Sequence, residues 1–190
     1  VIQGPWLMEE MKKQALNVGT EFHNDIVTSV NFEKRPFTSK TESGKEFVSK
    51  AIIIATGAQA RWLNIESENK FKGFGISACA TCDGFFFKDQ KVIVVGGGNS
   101  AVEEALFLTK FASKVILVHR RDKLRAEKIL QDRLFKNKKI EIEWNSQVSE
   151  FIGDEKQQSL KQVILKNTNN GNIKSIDVNG AFIAIGHDPA

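Results

Sequence analysis

The chain holds two cysteines, both in one short stretch, Cys79-Ala80-Thr81-Cys82-Asp83-Gly84. A C-x-x-C spacing closes a small ring when oxidised, so its disulfide can open and re-form instead of serving only as a staple. Zinc is the leading alternative for paired cysteines, but structural zinc takes four Cys or His ligands. Here the histidines are three and scattered: His23, His119 and His187. No metal is expected. Asp83, beside Cys82, is a carboxylate placed to hand a proton to a departing thiolate; Asp-Gly is equally the composition of a plain turn. Phe85, Phe86 and Phe87 follow at once. Burial accounts for at least one of them, whereas exposed rings beside a redox disulfide would offer a docking surface to a protein partner.

A second segment with chemistry in it is Gly96-Gly97-Gly98-Asn99-Ser100-Ala101, a G-x-G-x-x-A pattern. By itself this is a weak signal. Its context strengthens it: a strand pattern at Lys91 to Val95 precedes it, a helical pattern with Val102, Ala105, Leu106 and Thr109 on one face follows, and a second strand pattern runs from Val115 to Val118. This is the β-α-β setting of a dinucleotide fingerprint. Gly96 permits the tight turn, Gly98 lets the backbone approach a pyrophosphate at the helix N-terminus, and Ala101 allows helix and strand to pack closely. An empty tight turn is the plain alternative. Sites for NAD place an acidic residue after the second strand to bind the ribose hydroxyl. This chain has His119-Arg120-Arg121 there, with Arg125 four residues on. That much positive charge calls for an anion, and the 2′-phosphate of NADP fits the guanidinium forks. A solvated basic helix start is the competing explanation.

The elements around these motifs repeat. A helical pattern with Leu7, Met8, Met11 and Ala15 on one face follows Gly4-Pro5. Strand patterns come next at Asp25 to Phe32, Arg35 to Thr41 and Glu46 to Ser49, with Ser43-Gly44-Lys45 as a hairpin turn. An apolar run ending in glycine, Ala51 to Gly57, has the pattern of a buried parallel strand. The second half runs in the same order: a helix from Leu124 to Lys136 with Ala126, Ile129, Leu130 and Leu134 on one face, then strand patterns at Ile140 to Trp144, Val148 to Ile152, Leu160 to Asn167 and Ile173 to Val178, with Asn169-Asn170-Gly171 as a turn. It closes on a second apolar run ending in glycine, Ala181 to Gly186. The expected fold is α/β with two related Rossmann-like units, each a parallel sheet plus an antiparallel β-meander. The first unit lacks the strand and glycine-rich loop that open the second, so the chain is expected to begin partway through its first domain.

Composition sets outer bounds. Hydrophobic residues at 41% and charged residues at 26% of 190 are ordinary for a globular chain. No apolar run nears the ~20 residues a spanning helix needs, and no basic-then-apolar leader opens the sequence. The net charge of +4 is read as solvated lysines and not as a nucleic-acid surface. Neither membrane nor nucleic acid is expected as a partner. Two cysteines are also fewer than a disulfide-stapled secreted domain of this size usually carries.

Taken together, Cys79 to Phe86, the loop from Gly96 to Ala101, His119-Arg120-Arg121 with Arg125, and Gly186-His187-Asp188-Pro189 resemble the low-molecular-weight thioredoxin reductases of bacteria. Gly4-Pro5 with Leu7-Met8-Glu9, and Ala55-Thr56-Gly57-Ala58, match as well, so the resemblance covers essentially the whole chain. It implies a cytoplasmic, homodimeric flavoprotein that passes electrons from NADPH through FAD to the Cys79–Cys82 disulfide and then to thioredoxin. It further implies Cys82 as the flavin-facing thiol, Cys79 as the thiol that attacks thioredoxin, Asp83 as the active-site acid and Phe85 and Phe86 as docking aromatics. Gly96, Gly98, Asn99, Ser100, Ala101, His119, Arg120, Arg121 and Arg125 would bind NADPH, and Thr56 and Gly57 would lie at FAD. Residues 1–59 would be part of the FAD domain, 60–185 the NADPH domain carrying the C-x-x-C, and 186–190 the start of the return to the FAD domain. The family's FAD-binding glycine loop would precede Val1, so this chain alone is expected to purify largely without flavin. Hinges are expected near Gln59 to Arg61 and at Gly186, because nicotinamide and disulfide compete for one flavin face in this family. The flavoprotein subunit of alkyl hydroperoxide reductase, which has a similar C-x-x-C but typically uses NADH, is the enzymatic alternative, and an inert NADP-binding module is the non-enzymatic one.

Overall fold

The computed structural model describes residues 2–154 and 156–190, and the chain divides between Ala55 and Thr56 into two compact units. In the first, helix α1 (Gly4–Asn17) opens with Pro5 in its first turn, where a missing N–H breaks no helical bond. It ends at Gly19, whose φ of +85° is the left-handed conformation that closes helices. The predicted apolar face forms, yet no residue of α1 is buried. Strands β1 (Val27–Asn31), β2 (Phe37–Thr41) and β3 (Glu46–Ser49) make an antiparallel meander. The β2–β3 turn contains Gly44 at φ +83°.

The run Ala51 to Gly57 departs from expectation. It is not a strand, and Ile53 and Ile54 are 92% and 70% exposed. A strand exists only within a hydrogen-bonded ladder, and no described strand runs alongside this segment. The first unit therefore shows the helix and the meander of the expected pattern, without a parallel sheet.

The second unit begins with β4 (Ala58–Ala60), α2 (Glu66–Phe71) and β5 (Ile76–Ser77). Next come the one-turn helix α3 (Ala80–Asp83), a 3-10 turn at Gly84–Phe87, β6 (Lys91–Gly96), α4 (Asn99–Leu108), β7 (Lys114–Val118), α5 (Lys128–Lys136) and β8 (Ile140–Glu143). It closes with β9 (Ser146–Asp154), β10 (Ser159–Asn167), β11 (Ile173–Asp177), β12 (Gly180–Ala184) and β13 (His187–Pro189). A five-stranded parallel sheet, ordered β5-β12-β6-β7-β8, forms the middle layer. Its central strands are covered on both faces, which is why they read as unbroken apolar runs. Alternate residues divide between two cores. Val92, Val94, Val115, Leu117 and Phe182 pack with α4 and α5 on one side. Ile93, Ile116, Ala181 and Ile183 pack on the other side against Val148, Phe151, Val163 and Leu165 of the antiparallel sheet β9-β10-β11. A separate two-stranded ribbon pairs β4 with β13, His187 opposite Ala60, and an Arg61–Asp188 ion pair closes it.

Two further expectations are corrected. The segment Ile140 to Trp144, placed by its pattern in the meander, supplies β8 and joins β7 in parallel at the edge of the central sheet. The helix expected from Leu124 starts at Lys128, because the backbone N–H groups of Arg125, Ala126 and Glu127 bond to Gly97 and Asn99 instead of to their own helix. Leu124 and Ala126 remain buried from this non-helical approach, while Ile129, expected inward, is 58% exposed.

Phe182 sits at the centre of the unit, fully buried, edge-on to Phe87 at 5.4 Å. Phe182→Ala is expected to cost about 3–5 kcal/mol of unfolding free energy in urea titration, the range for truncating a buried aromatic. A loss below about 1 kcal/mol would contradict this placement of the core.

Candidate functional site

The strand ends of the parallel sheet open onto the glycine-rich loop, the position at which doubly wound sheets hold ligands. Each glycine answers a different demand. A Cβ on Gly96 would stand 2.3 Å from the Ala184 carbonyl oxygen and 2.6 Å from the Ala101 Cβ, so loop, β12 and α4 meet there with no room to spare. A Cβ on Gly97 would fall 2.2 Å from the His119 ring. His119 is buried beneath the loop, its Nε2 2.9 Å from the Lys123 carbonyl oxygen and its ring edge-on to Trp144. Gly98 differs. Its backbone is extended, and nothing lies within 4 Å of an added Cβ. Neither strain nor crowding inside the protein calls for glycine at that position; an incoming group would. Gly98 also caps α4 with no side-chain hydrogen bond, so the first amides of the helix face the open side.

The arginine segment is fastened to this loop by backbone. Arg125 N–H and Ala126 N–H donate to the Gly97 carbonyl at 2.7 and 3.2 Å, and Glu127 N–H donates to Asn99 Oδ1 at 2.8 Å. Asn99, predicted as a contact, thus acts as a tether and does not line the cleft. The cleft has a volume of about 620 Å³ and is lined by Gly96, Gly97, Gly98, Ser100, His119, Arg120 and Arg125 among the predicted residues. Arg121 is exposed and not part of the lining; its carbonyl accepts the Asn145 N–H at 3.2 Å. Ala101 is fully buried under the loop, in its expected packing role. Thr56 and Gly57 lie outside the cleft on an exposed stretch, where the Gly57 carbonyl accepts the Ala190 N–H. Pattern reading missed Arg61, Leu63, Gln147, Val148 and Ile185, which also line the cleft. They come from β9, from the end of β12 and from the segment after β4, and only the glycine-terminated run ending at Gly186 carried any signal of this.

The disulfide forms between Cys79 and Cys82, with Cα atoms 5.3 Å apart. Ser77 Oγ accepts the Cys79 N–H at 3.0 Å. Cys79 then caps α3: its Sγ accepts the Cys82 N–H at 3.2 Å and lies 3.4 Å from Thr81 Oγ1. The Cys79 sulfur therefore sits at the start of the turn and faces a backbone amide. Cys82 is the more exposed of the two and Asp83 is half-buried. Phe85 and Phe86 are 65% and 73% exposed, and Phe87 turns inward against Gly180 and Phe182. The segment rests on α4, since Gly84 meets Leu108, Phe111 and Phe107. One helix therefore carries the glycine loop at its start and the redox turn along its side. Among the described residues, no group of three or more His, Cys, Asp or Glu is arranged to hold a metal ion, and no helix is long and apolar enough to cross a membrane.

Comparison with known proteins agrees with these features. Residues 3–190 match the pyridine nucleotide-disulphide oxidoreductase family. The chain is 58% identical over 188 residues to a thioredoxin reductase of Rickettsia felis, covering 99% of this chain and 61% of that protein. Among solved structures, it aligns with thioredoxin reductase of Lactococcus lactis (TM-score 0.76, 43% identity, 100% of this chain and 61% of that one). It also aligns with that of Giardia duodenalis (TM-score 0.82, 39% identity, 99% and 60%). The chain thus spans about three fifths of the length of the curated relatives it matches.

The glycines supply a test of what the cleft receives. Gly98→Ala should leave unfolding free energy within about 0.5 kcal/mol of the parent, yet weaken dinucleotide binding at least about tenfold in calorimetric titration. Gly97→Ala should destabilise the fold itself through its collision with His119. Unchanged nucleotide affinity in Gly98→Ala would remove the loop from the binding site.

Proposed function

The chain belongs to the pyridine nucleotide-disulphide oxidoreductase family, and from that premise we propose that the protein is a thioredoxin-disulfide reductase, with NADPH and FAD as cofactors and thioredoxin as the protein substrate. The observation that carries this reading is the placement of a disulfide-bonded C-x-x-C and an arginine-lined glycine-loop cleft on the same helix, α4.

The cleft suits NADP. The bare start of α4 and the space above Gly98 would take the pyrophosphate, and Arg120 and Arg125 would take the 2′-phosphate. When bound, the reduced nicotinamide would supply two electrons, as hydride, for the disulfide to receive through the flavin. The chain's own part is thiol chemistry. Cys79 Sγ, which faces the Cys82 N–H, attacks a sulfur of the thioredoxin disulfide as its thiolate; one S–S bond forms, one breaks, and a thiolate leaves. Cys82 then attacks Cys79 Sγ, which re-forms the 79–82 bond and frees the second thioredoxin sulfur. Asp83 is the proton donor to a departing thiolate, and the exposed rings of Phe85 and Phe86 are the docking contacts. Greater exposure of Cys82 in the oxidised turn weighs toward Cys82 as the attacking group; the Cys82 N–H directed at Cys79 Sγ, and the family resemblance, weigh toward Cys79. The β4–β13 ribbon, with Gly186 at φ +111° beside it, serves as the pivot that brings either nicotinamide or disulfide to the flavin. A homodimer in the cytoplasm completes the reading, and residues from about 60 to 185 form its NADPH-binding domain.

Two measurements test this assignment. Replacing Arg120 and Arg125 together by Ala should weaken NADPH binding roughly 10- to 150-fold and leave NADH nearly unchanged, the effect of losing charge-assisted contacts; Arg121→Ala should have a smaller effect. Equal losses for both nucleotides would refute the 2′-phosphate site. In the flavoprotein, Cys82→Ser should accumulate a mixed disulfide between Cys79 and thioredoxin, while Cys79→Ser should not; the reverse pattern would exchange the roles of the two thiols.

A further inference from the structure

Thiol exchange at Cys79 and Cys82 leaves one ionisable neighbour without a task. Glu104 lies on α4, four residues before Leu108, and is half-buried along the side that meets the C-x-x-C turn. The N–H of Ala80, a residue 1% exposed at the opening of α3, is directed at its carboxyl group. The second carboxyl oxygen, Oε2, is buried with no hydrogen-bond partner. A buried carboxylate oxygen without a donor is costly, and the group avoids that cost by holding a proton. Burial accordingly pushes Glu104 up to about 7, opposed by the Ala80 N–H. The elements packed on α4 carry Asp83 on α3, Lys128, Asp132, Arg133 and Lys136 on α5, Lys91 on β6 and Lys114 on β7, with no charge on β12. On α4 itself the other charge is Glu103. None of these contributes to the shift.

We infer that Glu104 is a positioning residue for the Cys79–Cys82 couple: its carboxyl, held at the Ala80 N–H beneath the redox turn, binds a proton when the disulfide is reduced and releases it when the disulfide re-forms. The inference rests on the reading of this disulfide as a redox pair. Cys79 is bonded directly to Ala80, so negative charge on its sulfur is added at the residue next to the one whose N–H faces the Glu104 carboxyl. Like charges so placed disfavour each other, and protonating the carboxylate relieves the repulsion. With dithiothreitol as reductant the balance closes. The dithiol gives two electrons and two protons and becomes its cyclic disulfide; the protein S–S bond breaks, one proton goes to Cys82, one to Glu104, and Cys79 remains a thiolate.

The pH window follows from the sign of the shift. Below about pH 7 Glu104 is protonated in both redox states and takes up nothing. Thiolate charge raises its value further in the reduced form. Between these two values reduction consumes one extra proton, and the equilibrium constant for reduction falls up to about tenfold more per pH unit than it would without Glu104. Above both values the group is ionised throughout and the extra slope ends.

The test is to equilibrate the chain with mixtures of reduced and oxidised dithiothreitol from about pH 6 to about pH 9 and to trap the thiols at each pH. The parent and Glu103→Gln should show the extra slope above about pH 7, and Glu104→Gln, which keeps shape and can still accept the Ala80 N–H, should lose it. Parallel slopes in the parent and Glu104→Gln would overturn the inference while leaving the redox pair intact. A disulfide that dithiothreitol does not reduce would overturn both. Should Glu104→Gln not fold, the infrared difference between reduced and oxidised parent protein decides: a gained protonated-carboxyl band supports the inference, and its absence refutes it.

Discussion

At Gly96 and Gly97 three pieces of main chain approach one another as closely as atoms allow. The end of β6 lies against the last carbonyl of β12, the start of α4 brings Ala101 to the same point, and the ring of His119 fills the space under Gly97. Because the glycine loop is thin, the arginine segment can lie on it and donate hydrogen bonds to it. Because the arginine segment lies there, α5 starts at Lys128, four residues past its expected start at Leu124, and the cationic side chains are delivered to the cleft from a backbone fastened to the loop. A methyl group at either glycine would separate these layers, and with them the cleft, the sheet edge and the first turn of α4.

The same economy links the cleft to the disulfide. Helix α4 buries Ala101, Val102, Ala105 and Leu108 against the sheet and its neighbours, exposes its unsatisfied amides at one end, and supports the redox turn along its flank. A one-turn helix such as α3 has little stability of its own. It is held by the disulfide, by the Ser77 and Cys79 side-chain contacts, and by packing on α4. Opening the disulfide removes one of these restraints, so the redox state of the turn and its rigidity change together.

Much of this arrangement is legible in the residues alone, for identifiable reasons. The central strands are legible because they are buried on both faces, and unbroken runs such as Val92 to Val95 admit few other readings. The meander from Ser146 to Asp177 is legible because its alternation and its turn at Asn169 to Gly171 agree. The failures occur where tertiary bonds outweigh local pattern. Leu124 to Glu127 has a helical pattern, but its amides are claimed by Gly97 and Asn99. Ala51 to Gly57 has the composition of an interior strand, but with no ladder to join among the described residues it stays irregular and largely exposed. In the cleft, the contacts that belong to the glycine motif were visible; those from β9 and β12 depend on which strands lie side by side, information that spacing along the chain does not carry.

The ribbon of β4 and β13 has a topological meaning. Ala58 faces Pro189 and Ala60 faces His187 across a single strand spacing, about 4.8 Å in an ordinary sheet, and the Arg61–Asp188 ion pair fastens the open end. The path into the unit and the path out of it therefore run side by side, with some 125 residues folded between them. A module with adjoining entry and exit can be spliced into the loop of another protein without stretching either partner. The glycine-loop cleft and the disulfide turn both lie between these two adjoining paths, so a single splice at the ribbon would carry both together.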